Sequence, residues 1–558
     1  MAFPQSPAVN FSEIDLSTNV PGVGTTAAGF AGKFNWGPVE EITTVENELR
    51  LVDTFGEPDS NTFTSFFTAS NILAYGDTLR VIRGSNTLCV NAVANGNGVL
   101  IKNRGKYDEN FSGGSTTYGQ WAAKYPGAKG NSLRIETFQS ANTIEYNTWA
   151  YKTYFESAPG TSSYASALGG ANDEMHIVVV DKNGKFSGVA NTVIEKFGFI
   201  SKASDSLTSD GSSNYYKDVI NDKSKYIYWT GHPSGTNWAG NVAGGTTFTN
   251  VSANTFPLSG GTDQNPTDGE LITAYRLFSN QDTVDVSLVA MGDANTTVTT
   301  DVISNVAETR KDLVVFFSPK RSDVVDQAGS EANNIVTTRN SLTSSSYAFM
   351  DDNWKYQFDK YNNVYRYVPY NGDTTGLAIR TDRERDSWFS FAGFNRGNIK
   401  NVTKSAWNSS KTDRDTLYKT GVNSIVSFKG EGTVLYGDKT LLAKPSAFDR
   451  INVRRLFIVL EQAISKAAKF SLFEFNDEFT RAQFVNIVEP FLRDVKGRRG
   501  IFDFKVVCDE TNNTPEVIDR NELVADIYVK PARSINSIQL NFVATRTGVS
   551  FEEIVGKF

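Results

Sequence analysis

Apolar residues recur at helical spacing in two segments near the C-terminal end of the chain, and each segment predicts an amphipathic helix. The apolar positions of the first segment are Val453, Leu456, Leu460, Ala463, Ile464 and Ala467. Those of the second are Phe484, Ile487, Val488, Phe491, Leu492 and Val495. A capping-box pattern at 446–449 predicts the start of the first helix, and Asn476 or Asp477 that of the second. Pro490 predicts a kink and Gly497 a stop.

Three strands are predicted after these helices, over residues 501–508, 522–530 and 536–545. The last of them has the period of two expected for a strand with one buried face. Its two alternating sets are Ile538, Leu540, Phe542 and Ala544, and Gln539, Asn541, Val543 and Thr545. We therefore expect this strand to bury one apolar face.

Strands and helices alternate in the first part of the chain and again after residue 282. The predicted strands are 27–34, 79–83 and 313–317, the predicted helices are 63–75 and 302–310, and 284–291 is a further core segment. This alternation predicts a mixed α/β (α+β) fold.

Residues 1–24 are predicted to be extended, because prolines restrict the backbone and the apolar residues lack helical spacing. Those apolar residues are Val9, Phe11, Ile14 and Leu16.

The length of 558 residues predicts three or four domains, at roughly 150 residues per domain. Residues 84–282 are rich in Gly, Ser, Thr and Asn and contain short β-like runs, which predicts an inserted, polar, β-rich domain that faces outward. We expect an N-terminal arm at 1–24, a middle α/β domain built from 25–83 and 283–445, the insertion at 84–282, and a C-terminal domain at 446–558.

Charge and cysteine content exclude several classes of protein. The 55 Lys and Arg residues against 62 Asp and Glu residues give a net charge of −7, which makes a nucleic-acid partner a poor expectation. Cys89 and Cys508 cannot form a disulfide framework and fit a reducing compartment. The N-terminus lacks the pattern of a Sec signal, and the longest helical apolar run, 456–460, is too short to span a membrane, so we expect a soluble protein.

Residues suited to catalysis are sparse. His176 and His232 are the only histidines, and both are predicted to be structural. Asp351 and Asp352, adjacent in sequence, are expected to point apart on a solvated surface. The aromatic stretch 354–368 could form a carbohydrate or base platform, but it equally suits a packed β-hairpin. We predict no catalytic residue, no cofactor site and no metal site, and therefore no enzymatic activity.

Several long sequence words occur in a fixed order along the chain. They include Tyr436-Gly-Asp-Lys-Thr440, Phe448-Asp-Arg-Ile-Asn-Val-Arg-Arg-Leu-Phe457, Val507-Cys-Asp-Glu-Thr-Asn-Asn-Thr-Pro515, Val517-Ile-Asp-Arg-Asn-Glu522 and Pro531-Ala-Arg-Ser-Ile-Asn536. Others are Ala31-Gly-Lys-Phe-Asn-Trp-Gly-Pro38, Tyr75-Gly-Asp-Thr-Leu-Arg-Val-Ile-Arg83, Tyr356-Gln-Phe-Asp-Lys-Tyr361 and Phe394-Asn-Arg-Gly397. Together they closely resemble the contractile tail sheath proteins of T4-like myoviruses. The resemblance covers 1–83 and 283–558, and 84–282 only loosely.

The resemblance implies a structural subunit of a phage tail sheath. Members of this family polymerise as stacked hexameric rings around a tail tube, then contract and drive the tube through the host envelope for genome ejection. It implies an inner assembly domain built from both termini. The implied partners are further copies of the chain, the tail tube protein, and the baseplate and tail terminator proteins, with no nucleic acid and no membrane. The implied location is the virion, after assembly in the host cytoplasm.

Two sets of residues are candidates for assembly contacts. The first set is predicted to form intersubunit strands, because the backbone N–H and C=O groups of a strand added to a neighbour's sheet find hydrogen-bond partners there. Its residues are Val9, Phe11, Ile14, Leu16, Ile538, Leu540, Phe542 and Ala544. The alternative is that both ends complete their own subunit's sheet. The second set offers charged contacts to the tube: Arg493, Lys496, Arg498, Arg499, Arg450, Arg454 and Arg455. Dipole compensation at a helix end and intrachain salt bridges are the alternatives for these cations.

Two other functions stay open at this point. A secretion or pyocin-type device would use the same kind of sheath without a DNA-filled capsid. A glycan-binding or depolymerase virion protein would use the polar insertion at 84–282 to bind glycans. The scarcity of histidine and of facing carboxylates argues against the depolymerase.

Overall fold

The computed structural model describes residues 24, 26–115, 117–233 and 237–540. Its strands are β1 (Ala28–Gly32), β2 (Thr43–Val45), β3 (Leu79–Arg83), β4 (Trp121–Ala123), β5 (Leu133–Gln139), β6 (Glu174–Asp181), β7 (Thr192–Ser201), β8 (Ile227–Trp229), β9 (Val251–Pro257), β10 (Leu288–Ala290), β11 (Val314–Phe317), β12 (Ala348–Asp351), β13 (Trp354–Asp359), β14 (Val364–Pro369), β15 (Lys404–Ser405), β16 (Val422–Asn423), β17 (Ile425–Phe428), β18 (Gly432–Leu435), β19 (Ile501–Val507) and β20 (Asp526–Pro531).

Helices connect these strands and cover them. They are α1 (Glu48–Phe55), α2 (Phe63–Leu73), α3 (Arg104–Asn110), α4 (Thr143–Thr148), α5 (Ser163–Ala167), α6 (Tyr216–Lys223), α7 (Asp268–Arg276), α8 (Thr296–Val302), α9 (Glu308–Arg310), α10 (Arg321–Val324), α11 (Glu331–Asn340), α12 (Asn371–Glu384), α13 (Lys411–Lys419), α14 (Ile451–Ala468), α15 (Glu478–Gly497) and α16 (Pro515–Asp519). The chain divides into two compact units between Phe473 and Glu474.

The first unit is built on a sheet in the order β16-β12-β11-β10-β1-β3-β2. Its strands pair in parallel, except that β2 pairs antiparallel with β3. Strands β1, β10, β11 and β12 are buried along their whole length, which requires that both faces of the sheet are covered. Helices α2 and α12 pack together over it, and α7 contacts β1 and β3. The predicted mixed α/β fold is confirmed.

Residues 84–282 contain two antiparallel sheets, one in the order β7-β6-β5-β9 and one formed by β4 and β8. The apolar side chains between them form cores of their own, centred on Trp121, Ile135 and Trp229. Helix α7 belongs instead to the core of the seven-stranded sheet, through Ala274 and Tyr275. The expected domain limits remain predictions, but the chain returns to the main core before residue 283.

Two details of the sequence interpretation are wrong. Ser446 does not cap helix α14: its Oγ accepts a hydrogen bond from the Phe448 amide (3.3 Å) in a short 3₁₀ turn, and the helix begins after Arg450. Asp351 and Asp352 are fully buried rather than solvated. Asp351 accepts a hydrogen bond from Ser318 Oγ (2.8 Å), and Asp352 accepts one from the Ile425 amide (2.8 Å).

Burial changes the protonation of these two acids. Desolvation raises the pKa of the Asp351 carboxyl well above its usual value. It raises the pKa of Asp352 to about 7, against the opposing effect of the hydrogen bonds from the Ile425 amide and the Ser424 side chain. Both carboxyls lie at the C-terminal end of β12, deep in the first unit, where they join neighbouring elements rather than face each other across a substrate.

Candidate assembly site

Helix α15 organises the second unit. Asp477, one of the two residues predicted to start it, caps the helix: its Oδ1 accepts a hydrogen bond from the Thr480 amide at 2.8 Å. The predicted apolar stripe is buried at Phe484, Val488, Leu492 and Val495. The helix packs against β19, and Pro490 lies inside it.

Strands β19 and β20 pair antiparallel, with Phe504 opposite Val529 and Val506 opposite Ile527. No third strand joins this pair in the described part of the chain. Each strand therefore has one edge on which backbone N–H and C=O groups make no ladder bonds. An isolated two-stranded sheet is marginally stable, and an open edge is a template for pairing with another strand.

The chain beyond β20 carries exposed apolar side chains. The Ala532 amide donates a hydrogen bond to the Gly500 carbonyl (3.1 Å), and residues 533–540 then form no strand with the described residues. Ile535, Ile538 and Leu540 are 80%, 75% and 71% exposed. The candidate residues Val9, Phe11, Ile14, Leu16, Phe542 and Ala544 lie outside the described residues.

The candidate tube-contact residues Arg450, Arg454 and Arg455, here called the Arg450 group, make intrachain contacts in the first unit. Arg450 pairs with Asp438 (3.1 Å), and Arg455 pairs with Asp382 of α12. Arg454 is buried, with its guanidinium 3.9 Å from the centre of the Phe448 ring and 4.3 Å from that of Tyr347. The geometry thus supports the intrachain alternative for these arginines, because Arg454 and Arg455 are not available at the surface of this chain.

The second basic cluster lies at the end of α15 and is exposed. Its ion pairs are local: Arg493 with Glu489 (3.4 Å), Lys496 with Asp503 (3.0 Å) and Arg498 with Asp494 (3.5 Å). Arg499 follows the helix with a φ of +67°. Exposed pairs of this kind contribute about 0–1 kcal/mol each, so a partner protein can replace them at little cost.

The histidines occupy structural positions in the described residues. His176 is buried and stacks on Phe155, with ring centres 4.1 Å apart, and its Nε2 hydrogen-bonds the Ser157 carbonyl at 2.9 Å. Burial lowers the pKa of His176. His232 Nδ1 lies 2.6 Å from Tyr216 Oη. The described residues contain no group of His, Cys, Asp and Glu side chains that could hold a metal ion. None of the described helices is long and apolar enough to cross a membrane.

One exposed apolar segment is missing from the predicted contacts. It connects α14 to α15, and its exposed side chains are Phe470, Leu472, Phe473 and Phe475; Phe479 in the first turn of α15 is exposed as well. The density of aromatic residues in this short connection is the feature of the sequence that could have identified it.

Three protein-family models match the chain. The tail sheath protein Gp18 domain III N-terminal region matches residues 25–83, the phage tail sheath protein central domain matches 270–441, and the phage tail sheath C-terminal domain matches 443–545. The sequence words that carry the resemblance lie within or beside these three ranges.

Whole-length relatives agree with these matches. The tail sheath protein of Vibrio phage KVP40 is 34% identical over 679 aligned positions, which cover 99% of each chain. That of Enterobacteria phage T4 is 32% identical over 680 positions, with the same coverage. Both alignments are longer than this chain, so each relative has additional residues.

Among solved structures, the helical sheath of the anti-feeding prophage in its contracted state covers 97% of this chain and 100% of its own, with a TM-score of 0.50 and 13% identity. That likeness concerns the fold alone, whereas the whole-length identity to the phage proteins concerns the family. The predicted family is thus confirmed: this chain belongs to the phage tail sheath protein family and is a structural subunit of a contractile sheath.

Proposed function

We propose that this chain polymerises as stacked hexameric rings around a tail tube and contracts to drive the tube through the host envelope, without any enzymatic reaction of its own. The proposed partners are further copies of the chain, the tail tube protein, and the baseplate and terminator proteins. The proposed location is the virion, after assembly in the host cytoplasm.

The observation that carries the proposal is the open-edged β19–β20 sheet beside an apolar extension. The extension exposes Ile535, Ile538 and Leu540 and continues beyond residue 540 with the same alternation. A strand of this kind can pair with the β19–β20 edge of a neighbouring subunit, which satisfies the backbone of both chains and buries the apolar face. The N-terminal arm at 1–24 supplies a second strand of the same type.

Strand exchange suits a machine that contracts. Ladder hydrogen bonds hold neighbouring subunits together, and the segments that join each exchanged strand to its own subunit bend while the subunits rotate. The free energy for contraction is then stored in the metastable extended lattice.

The test compares three forms of the full chain: wild type, a truncation after residue 533, and a variant with residues 534–548 shuffled to keep composition but lose the period of two. We expect wild type to form hollow tubes by electron microscopy, and both variants to stay folded by circular dichroism but monomeric. Deletion of residues 6–16 should have the same effect. Tubes formed by both terminal truncations would refute strand exchange.

The tube contact is proposed to lie at Arg493, Lys496, Arg498 and Arg499. A sheath that must slide off its tube needs a small, charged interface, since such contacts are easily released and are screened by salt. The exposed and weakly paired state of this cluster supports the assignment.

The insertion at 84–282 is proposed to face outward and to contribute little to the lattice. A chain in which a short linker replaces it should still form tubes. Loss of assembly by a folded variant would instead locate lattice contacts in the insertion.

A further inference from the structure

One face of the hairpin β13–β14 buries polar and charged side chains, and the opposite face exposes aromatic ones. On its inner face Lys355, Gln357 and Asp359 are at most 5% exposed. Lys355 pairs with Asp373 of α12 (Nζ–Oδ2 2.9 Å), and Gln357 Oε1 accepts a hydrogen bond from Asn71 Nδ2 of α2 (3.1 Å). Burial of charge is costly and is compensated here by pairing. The usual inside–outside pattern is therefore reversed.

The outer face of this hairpin is an aromatic platform. Tyr356 lies opposite Tyr367, and Phe358 lies opposite Tyr365. Their ring centres are 4.7 Å and 5.2 Å apart, and Tyr356 stacks on Tyr365 across the diagonal at 5.3 Å. Phe358 and Tyr365 are 46% and 50% exposed. The four rings offer solvent on the order of 300 Å² of surface.

Cations flank the platform on two sides. Lys404 of β15 lies opposite Tyr356 in the ladder, with Nζ 5.1 Å from the ring centre. Arg321 of α10 lies over Tyr367 at 5.7 Å. Both cations are exposed, and neither forms an ion pair with a carboxylate of the described residues. The platform is thus a row of cation, tyrosine, tyrosine and cation, with a second aromatic pair beside it.

We propose that the outer face of the β14–β13–β15 sheet is an assembly interface that binds an acidic segment of a second copy of this chain. Exposed aromatic residues with arginine are typical of interface centres. The chain as a whole carries a net charge of −7, so a face edged by unpaired cations is complementary to much of its own remaining surface. The inference rests on the proposed self-assembly, because it names a further contact between copies.

The first experiment measures the critical concentration for tube formation by light scattering and electron microscopy. The double variant Phe358→Thr with Tyr365→Thr keeps β-forming residues but removes the rings. The matched control is Leu88→Thr with Ile144→Thr, two exposed apolar side chains of the insertion. We expect at least a tenfold rise in the critical concentration for the platform variant, unchanged thermal stability of its monomer, and no change for the control.

The second experiment identifies the occupant. A photoreactive benzoylphenylalanine at position 365 should give a cross-link between two copies in assembled tubes, to a peptide that contains Asp or Glu. The charge reversal Lys404→Glu with Arg321→Glu should weaken assembly, and added salt should weaken wild-type assembly in the same direction.

Wild-type tubes with an unchanged critical concentration for the platform variant would overturn this inference while leaving the proposed function intact. Failure of wild type to assemble would count against the proposed function itself. Binding of a neutral oligosaccharide or a single-stranded oligonucleotide that the platform variant loses, with assembly unchanged, would also overturn the inference and assign the platform to another ligand.

Discussion

Removal of the buried Lys355 charge should destabilise the first unit strongly. Lys355 Nζ lies 2.9 Å and 3.0 Å from the two carboxylate oxygens of Asp373, and both side chains are at most 1% exposed. Lys355 Nζ also donates to the Lys400 carbonyl (3.2 Å), and Tyr75 Oη donates to Asp373 Oδ1 (3.2 Å). Burial lowers the pKa of Lys355 and raises that of Asp373, and their mutual attraction opposes both shifts.

In Lys355→Met, Asp373 is left as an uncompensated buried acid, which costs about 3–5 kcal/mol. In a unit of this size the corresponding fall in the melting temperature is roughly 3–5 °C. The double variant Lys355→Met with Asp373→Leu should recover most of the loss, because two apolar side chains replace two buried charges. Lys360→Met is the control: Lys360 follows β13 in the same hairpin, is 61% exposed and pairs with Glu48 of α1 (3.0 Å), so the loss of this pair should cost no more than about 1 kcal/mol.

Calorimetry and denaturant unfolding of the monomer at pH 7 compare wild type with these three variants. A loss below about 1 kcal/mol in Lys355→Met would contradict the burial of an unpaired charge at Asp373, as would a double variant that is no more stable than the single one. Either result would mean that water reaches the pair and that the inner face of the hairpin is not dry.

Three further predictions concern the basic cluster, a buried acid and the second core. Arg498→Glu with Arg499→Glu should leave empty tubes normal but impair sheath assembly on preformed tail tubes; unchanged templated assembly across a range of salt would eliminate the contact. The pKa of Asp352 is about 7 in the folded state, so between pH 4 and 7 the folded chain holds a proton that the unfolded chain has released. The free energy of unfolding should therefore fall from pH 4 to pH 7 more steeply in wild type than in Asp352→Asn. Equal slopes in denaturant unfolding would contradict this. Phe484→Ala should destabilise the second unit by about 3–5 kcal/mol, and the exposed Phe502→Ala by less than about 0.5 kcal/mol, as measured by hydrogen exchange; similar effects would show that α15 does not carry the core.

Local patterns were sufficient for the elements whose stability is local. The period of the apolar residues predicted α14 and α15, the start of α15 was correctly placed at Asn476 or Asp477, and β3 has the predicted bounds. In each case the structure follows from the spacing of apolar residues on one helix face or from one short run of apolar residues in a strand. Both patterns can be read from the sequence.

Tertiary contacts decided the features that the sequence did not reveal. Asp352 is buried because β12 ends beside the Ile425 amide, which lies 73 positions away in the chain. Arg455 is paired because α14 passes Asp382 of α12, also 73 positions away. The reversed pattern of β13 has the same origin, since Lys355 depends on Asp373. No local rule distinguishes these residues from solvated ones, because their partners come from other elements.

Strand exchange between subunits can be seen directly by cryo-electron microscopy of tubes assembled from the purified full chain. We expect hollow tubes of stacked hexameric rings, in which residues 534–548 of each subunit form a strand at the β19–β20 edge of a neighbouring subunit. Tubes in which both terminal segments pair only within their own subunit, or a protein that stays monomeric at every concentration, would contradict it.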